Sequence, residues 1–138
     1  MNDPALIEKK LAFIETCVRE LRHLARPDEI DRDVRERRFV EHTLQIAIQA
    51  AMDASSHIIS DLRLGEPDTN RELFDLIAGD GWISKELVGS MRDMVGFRNI
   101  VVHGYRTVDT DILKDIVVHH LDDLLGFVKA IRGKLKRG

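Results

Sequence analysis

At 138 residues the chain has room for one domain with a real core, and not for two. One tryptophan, one tyrosine, five phenylalanines and three prolines are too few for a sandwich of many short strands and turns. A net charge of −3 excludes long-range attraction of nucleic acid by the molecule as a whole, so any RNA contact must come from a local basic surface.

The opening Met1-Asn2-Asp3-Pro4 has no basic segment followed by an apolar stretch, as a secretion signal would. No run reaches the roughly 18 apolar residues of a membrane span. The single cysteine, Cys17, leaves no internal disulfide and fits a reducing compartment. The expectation is a cytoplasmic protein without a membrane partner.

Asp3 and Pro4 suit the start of a helix, as N-cap and first helical residue. Ile7, Leu11, Ile14, Val18 and Leu21 then recur in steps of four and three and form one apolar stripe, until Pro27 interrupts. From Val34 to Leu62 neither proline nor glycine occurs, which predicts a long helix. Its apolar face runs Val40, Leu44, Ala47, Ile48, Ala51, Ser55, Ile58, Ile59 and Leu62. The small residues Ala47, Ala50, Ala51, Ala54 and Ser55 predict close approach of another helix. Gly65-Glu66-Pro67 is expected to end it.

A short amphipathic piece follows over Arg71 to Ala78, then a Gly79-Asp80-Gly81 turn. Ser84 suits the N-cap of the next helix, with Glu86 in its first turn and Leu87, Met91, Met94, Val95, Val101 and Val102 on its apolar side. Asp109 and Asp111 mark the start of a last helix using Leu113, Ile116, Val117, Leu121, Leu124, Val128 and Ile131. The sum is an all-α, antiparallel up-and-down four-helix bundle with one additional short helix, filling residues 1–138 as a single domain. Base rates favour pairing of such a chain as a two-fold homodimer.

The stretch Arg98-Asn99-Ile100-Val101-Val102-His103-Gly104-Tyr105 departs from this pattern by setting polar residues into an apolar run. Successive helical residues turn by about 100°, so Arg98 and His103 stand about 140° apart and cannot both enter one small pocket from one regular helix. Either Arg98 reaches round, an irregular turn at Gly104 intervenes, or two copies face one cleft. The chemistry suits RNA. An imidazole can take or give a proton near neutrality, and a guanidinium matches phosphate oxygens and stabilises added negative charge. Together they could drive attack of a ribose 2′-hydroxyl on its phosphate without a metal or other cofactor. The plain structural alternative is that both residues cap a helix ended by Gly104.

Arg98 and His103 separated by four residues, with Tyr105 beyond, resemble the signature of the HepT toxins of the HEPN superfamily. Arg38-Phe39-Val40-Glu41-His42-Thr43-Leu44-Gln45-Ile46-Ala47, Gly96-Phe97-Arg98-Asn99 and Leu121-Asp122-Asp123-Leu124 extend the likeness over nearly the whole chain. The resemblance implies that Arg98 and His103 are the catalytic pair and that Asn99 supports them. It implies that Tyr105 is the tyrosine to which a partner nucleotidyltransferase antitoxin of the MntA type adds AMP, placing phosphate where RNA must sit. Gly104 stands where many relatives carry Asp. The activity implied is that of an endoribonuclease acting on RNA such as tRNA. The alternative is a non-catalytic nucleotide- or substrate-binding subunit of a nucleotidyltransferase, and a blander one still is a structural dimerisation bundle.

Other candidates carry less. His57 with Asp61, and His119-His120 with Asp122-Asp123, lack the three or four ligands of a metal site and read as helix-face histidines. Arg32, Arg35, Arg37 and Arg38 alternate with Asp31, Asp33 and Glu36, as a salt-bridged surface does. Lys129, Arg132, Lys134, Lys136 and Arg137 form a basic tail at a helix C-terminus, where positive charge is favoured structurally. Cys17 sits among apolar residues and reads as core.

Overall fold

The computed structural model describes residues 3–103 and 108–137. Helix α1 spans Pro4–Leu24, with the Asp3 carboxylate accepting from the Leu6 N–H at 3.0 Å. All five residues of its expected stripe are buried, and so is Cys17, whose thiol burial pushes up to about 11. That makes it core, not nucleophile. A single 3-10 turn, Pro27–Glu29, leads into α2, Val34–Leu62, with the expected ends. The small residues Ala47, Ala50, Ala51, Ala54 and Ser55 are all buried, and α2 packs more extensively on α1 than on any other element.

Two details of α2 differ from expectation. Leu62 is 38% exposed and so lies off the buried face. The helix is also closed before Gly65, by Arg63 in the left-handed region at φ 53°, while the Leu64 N–H reaches back to the Ile59 carbonyl. This closure turns the N–H groups of Arg63 and Leu64 onto the one Ile59 carbonyl, and here a non-glycine residue accepts the left-handed conformation.

Helix α3, Glu72–Gly79, buries Leu73, Phe74 and Ile77 and lies across α2 and α4. Helix α4 runs Lys85–His103, opened by Ser84 Oγ accepting from the Leu87 N–H at 3.3 Å. Met91, Met94, Val95 and Phe97 are its buried residues. Val102 is 46% exposed and does not belong to the apolar side where the sequence reading put it.

The expected last helix is divided. After the Asp109 cap come α5, Thr110–Asp115, a π-helical turn, Ile116–His120, and α6, Leu121–Arg137. Sequence periodicity does not reveal such a turn, because one widened turn barely disturbs a three-four pattern. Helices α1, α2, α4 and α6 touch in a closed ring, α1 with α2 and α6, α4 with α2 and α6. This is the antiparallel four-helix bundle with α3 as the additional short helix, and no strand occurs among the described residues. Phe74 of α3 meets Phe127 of α6 edge to face in the core, with ring centroids 6.0 Å apart.

Several surface charges tie the ring. Arg132 of α6 reaches both Glu8 and Glu15 of α1, with Nη2 2.9 Å from Glu15 Oε1 and Nε 3.0 Å from Glu8 Oε1. Its hydrogen bond holds the Glu15 carboxyl below the usual carboxylate range. Lys134 lies 4.9 Å from the Trp82 ring centroid and bonds the Asp80 carbonyl. Two members of the basic tail are thus engaged in structure. The arginines at the start of α2 are paired too, but differently from the sequence reading: Arg32 bonds Glu29, Arg38 lies 3.5 Å from Glu41, and Arg37 bonds the Ile30 carbonyl. Asp31 instead pairs with Lys114 of α5, which lowers its pKa.

Candidate functional site at the end of α4

Helix α4 remains α-helical through Arg98, Asn99 and His103. Around its axis the order is Arg98, Val102, Asn99, His103, with Arg98 and His103 about 140° apart. Arg98 is half-buried and leans inward, whereas Val102 and His103 are exposed. Within the described helix Arg98 and His103 therefore stand on different sides of α4. Gly104 and Tyr105 lie outside the described residues.

The Arg98 guanidinium has two described partners. Its Nη1 donates to Asn99 Oδ1 at 3.1 Å, and its Nη2 donates to Gln49 Oε1 of α2 at 2.6 Å. Both acceptors are amide oxygens carrying no net charge, and no carboxylate pairs with Arg98 among the described residues. The buried Nε has no hydrogen-bond partner. An arginine offers five N–H donors. Among the described residues these commitments leave one N–H on each Nη over, with no carboxylate directly on the guanidinium.

Behind Gln49 the chain of contacts continues. Gln49 Nε2 donates to Asp53 Oδ1 at 2.9 Å, and Asp53 Oδ2 lies 3.3 Å from Lys10 Nζ of α1. Sequence reading missed these three residues. The available signal was Gln49 and Asp53 spaced four apart, hence on one face of α2. Their relevance depends on what α4 places beside them, which the spacing cannot say.

A second polar cluster joins His120 and Asp123, which the sequence reading sets together, to Asp115, which it does not. His120, at the end of the π turn, has Nε2 3.1 Å from Asp115 and Nδ1 3.1 Å from Asp123. A residue five positions back comes within reach because a π turn closes from i to i+5. The Asp123 hydrogen bond, with help from Asp115, raises the His120 pKa. Both ring nitrogens face carboxylates, an arrangement that favours the imidazolium, whose two N–H groups can each donate. His120 also lines a pocket of about 520 Å³ with Met94, Phe97, Ile100, Ile112 and Ile116. Neither Arg98 nor His103 lines that pocket. Among the described residues no group of three or more His, Cys, Asp or Glu is placed to hold a metal ion. No described helix is long and apolar enough to cross a membrane.

Residues 14–131 match the family model described as ribonuclease HepT-like. The chain is similar to the mRNA nuclease HepT of Shewanella oneidensis, at 32% identity over 97% of this chain and 100% of that one. It is also similar to the tRNA nuclease HepT of Aphanizomenon flos-aquae, at 32% identity over 78% of this chain and 74% of that one. Among solved structures it resembles the tri-AMPylated Shewanella oneidensis HEPN toxin in complex with MNT antitoxin. The TM-score is 0.87 and the identity 32%, over 96% of this chain and 99% of that one.

Proposed function

This chain belongs to the ribonuclease HepT-like family, and we propose that it is a metal-independent endoribonuclease toxin that cuts RNA, tRNA in particular, in the cytoplasm. Arg98 and His103 carry the reaction, and AMP transfer to Tyr105 by a partner nucleotidyltransferase stops it. The observation that carries this reading is Arg98 itself: a half-buried guanidinium fixed by neutral amides, with its charge still available to an anion.

In the reaction His103 takes the proton of a ribose 2′-hydroxyl and the 2′-oxygen attacks the adjacent phosphorus. The bond from phosphorus to the 5′-oxygen breaks, and that oxygen leaves with a proton from an imidazolium. Arg98 meets the charge that builds on the phosphoryl oxygens, and Asn99 supports the guanidinium. The products are a 2′,3′-cyclic phosphate and a 5′-hydroxyl.

The site is shared by a homodimer in this reading. A regular helix holds Arg98 and His103 about 140° apart, and a second copy facing α4 lets one chain's Arg98 work with the other's His103. The exposed Val102 lies between them around the helix and gives such a contact an apolar centre. The antitoxin part rests on the relative whose structure carries AMP in complex with an MNT antitoxin. Two relatives named for different RNA targets, mRNA and tRNA, make the substrate the first matter to test.

The experiment is incubation of the purified protein with tRNA in excess EDTA, with end analysis of the fragments. Cleavage with 2′,3′-cyclic phosphate ends is expected, falling about 10²–10⁴-fold in His103→Ala. An inactive wild type, or a His103→Ala variant of equal activity, rejects the reading. The non-catalytic alternative, in which Arg98 only holds a phosphate, predicts RNA binding without cleavage in the same assay. Mass analysis after coexpression with a nucleotidyltransferase of this kind tests Tyr105: AMP adducts must appear there, and RNA cleavage must fall as they accumulate.

A further inference from the structure

We infer that Gln49 is a positioning residue for Arg98, and that its neutrality is as necessary to the site as its hydrogen bond. The inference rests on the ribonuclease reading and extends the site from α4 to α2 and α1. It comes from the chain Lys10–Asp53–Gln49–Arg98, with contacts of 3.3, 2.9 and 2.6 Å.

The end groups fix the orientation of the middle one. Arg98 has only donors and ionised Asp53 has only acceptors. A primary amide between them satisfies both in one orientation alone, Oε1 toward Arg98 and Nε2 toward Asp53. Lys10 pairs with the other Asp53 oxygen and so offsets the carboxylate that does the orienting. Gln49 thereby holds the guanidinium by a short bond while keeping the negative charge of Asp53 one side chain away. A carboxylate placed directly on Arg98 would hold it equally well but would neutralise the charge the phosphate needs. Arg132, clasped by Glu8 and Glu15, is an arginine in that condition within the same chain.

Two variants separate holding from insulation. Gln49→Met keeps nearly the same length and removes the acceptor. The pair Gln49→Glu with Asp53→Asn leaves the net charge unchanged and every bond in the chain possible, since the amide introduced at position 53 can donate to the new carboxylate and accept from Lys10. It moves the negative charge directly onto Arg98.

Both are expected to fold as the wild type does, by circular dichroism and melting. Each is expected to lower kcat for RNA cleavage on the order of 10- to 100-fold, the scale of a misplaced group or a weakened transition-state contact. KM should stay within about threefold, because RNA affinity is spread over many phosphate contacts. Nitrogen NMR of the Arg98 side chain supplies a readout independent of cleavage. Rotation about the guanidinium bonds should be slow in the wild type and in the double variant, and fast in Gln49→Met.

A folded Gln49→Met with wild-type kcat overturns the positioning role. A folded double variant with wild-type kcat overturns the insulating role. If the wild type cleaves no RNA, the ribonuclease reading falls by itself and the NMR decides the hold: fast rotation in the wild type rejects it, and slow rotation lost in Gln49→Met supports it.

Discussion

Two of the arginines that bridge helices in this bundle, Arg132 from α6 to α1 and Arg98 from α4 to α2, commit their donors differently. In Arg132 the Nε, Nη1 and Nη2 all reach carboxylate oxygens of Glu8 and Glu15. Those hydrogen bonds raise the Arg132 pKa further and lower that of Glu15, so each group favours the charged form of the other. Arg98 has comparable reach but among the described residues meets the amide oxygens of Gln49 and Asn99 and no carboxylate. Its geometry is fixed and its charge is not cancelled. The first arginine fastens two helices. In the proposed reading the second receives an anion, and the difference lies in the acceptors' charge rather than in the arginine.

The comparison can be broken by removing each arginine in turn. Arg98→Met should lower RNA cleavage about 10²–10³-fold, the scale of losing one preorganised transition-state donor, with melting temperature little changed. Equal cleavage in Arg98→Met and wild type would remove the distinction between the two arginines. Arg132→Met should do the reverse. Cleavage should remain near wild type while stability falls by about 1–2 kcal/mol, since partly exposed pairs are individually weak but this one is a bidentate network. That corresponds to a melting point lower by roughly 5 °C in a calorimetric scan. The Glu15 share of this stability has a defined sign. A depressed carboxylate contributes above its unfolded value of 4.5, and the contribution is lost as pH falls through the lowered one.

The smallest expected effect concerns His120, which stands between two carboxylates as Arg132 does but is titratable. Its folded pKa is raised above the ordinary 6.5. The stability it adds is fully present below that value and is lost as pH rises through the folded pKa. His120→Gln should therefore lower the melting temperature more at about pH 6 than at about pH 9. Because the His120 side chain is 41% exposed, solvent screening keeps the shift small. A pH-independent difference between variant and wild type would show that the Asp115 and Asp123 contacts contribute nothing electrostatic.

Much of the fold was legible in local pattern. The stripe from Ile7 to Leu21, the uninterrupted run from Val34 to Leu62, and the caps at Asp3, Ser84 and Asp109 all lie where periodicity and capping chemistry put them. These are interactions over three or four residues, which spacing records directly. The π turn at Ile116–His120 escaped, because it shifts phase by less than an apolar stripe tolerates. So did the exposure of Leu62 and Val102, which depends on where neighbouring helices stop covering them.

For the candidate site the division is sharper. The sequence by itself determined that Arg98 and His103 occupy one helix, that about 140° separates them, and that Asn99 adjoins them, because helix geometry follows from position along the chain. Only the tertiary structure decided what surrounds Arg98. Gln49 lies 49 residues away and Lys10 another 39 before it, and no local periodicity ties either to α4. Packing of α2 against both α1 and α4 brings them together, and with them the choice of a neutral amide over a carboxylate beside the guanidinium. Whether an arginine is a fastener or an anion receptor is set by the charge of the groups folded against it.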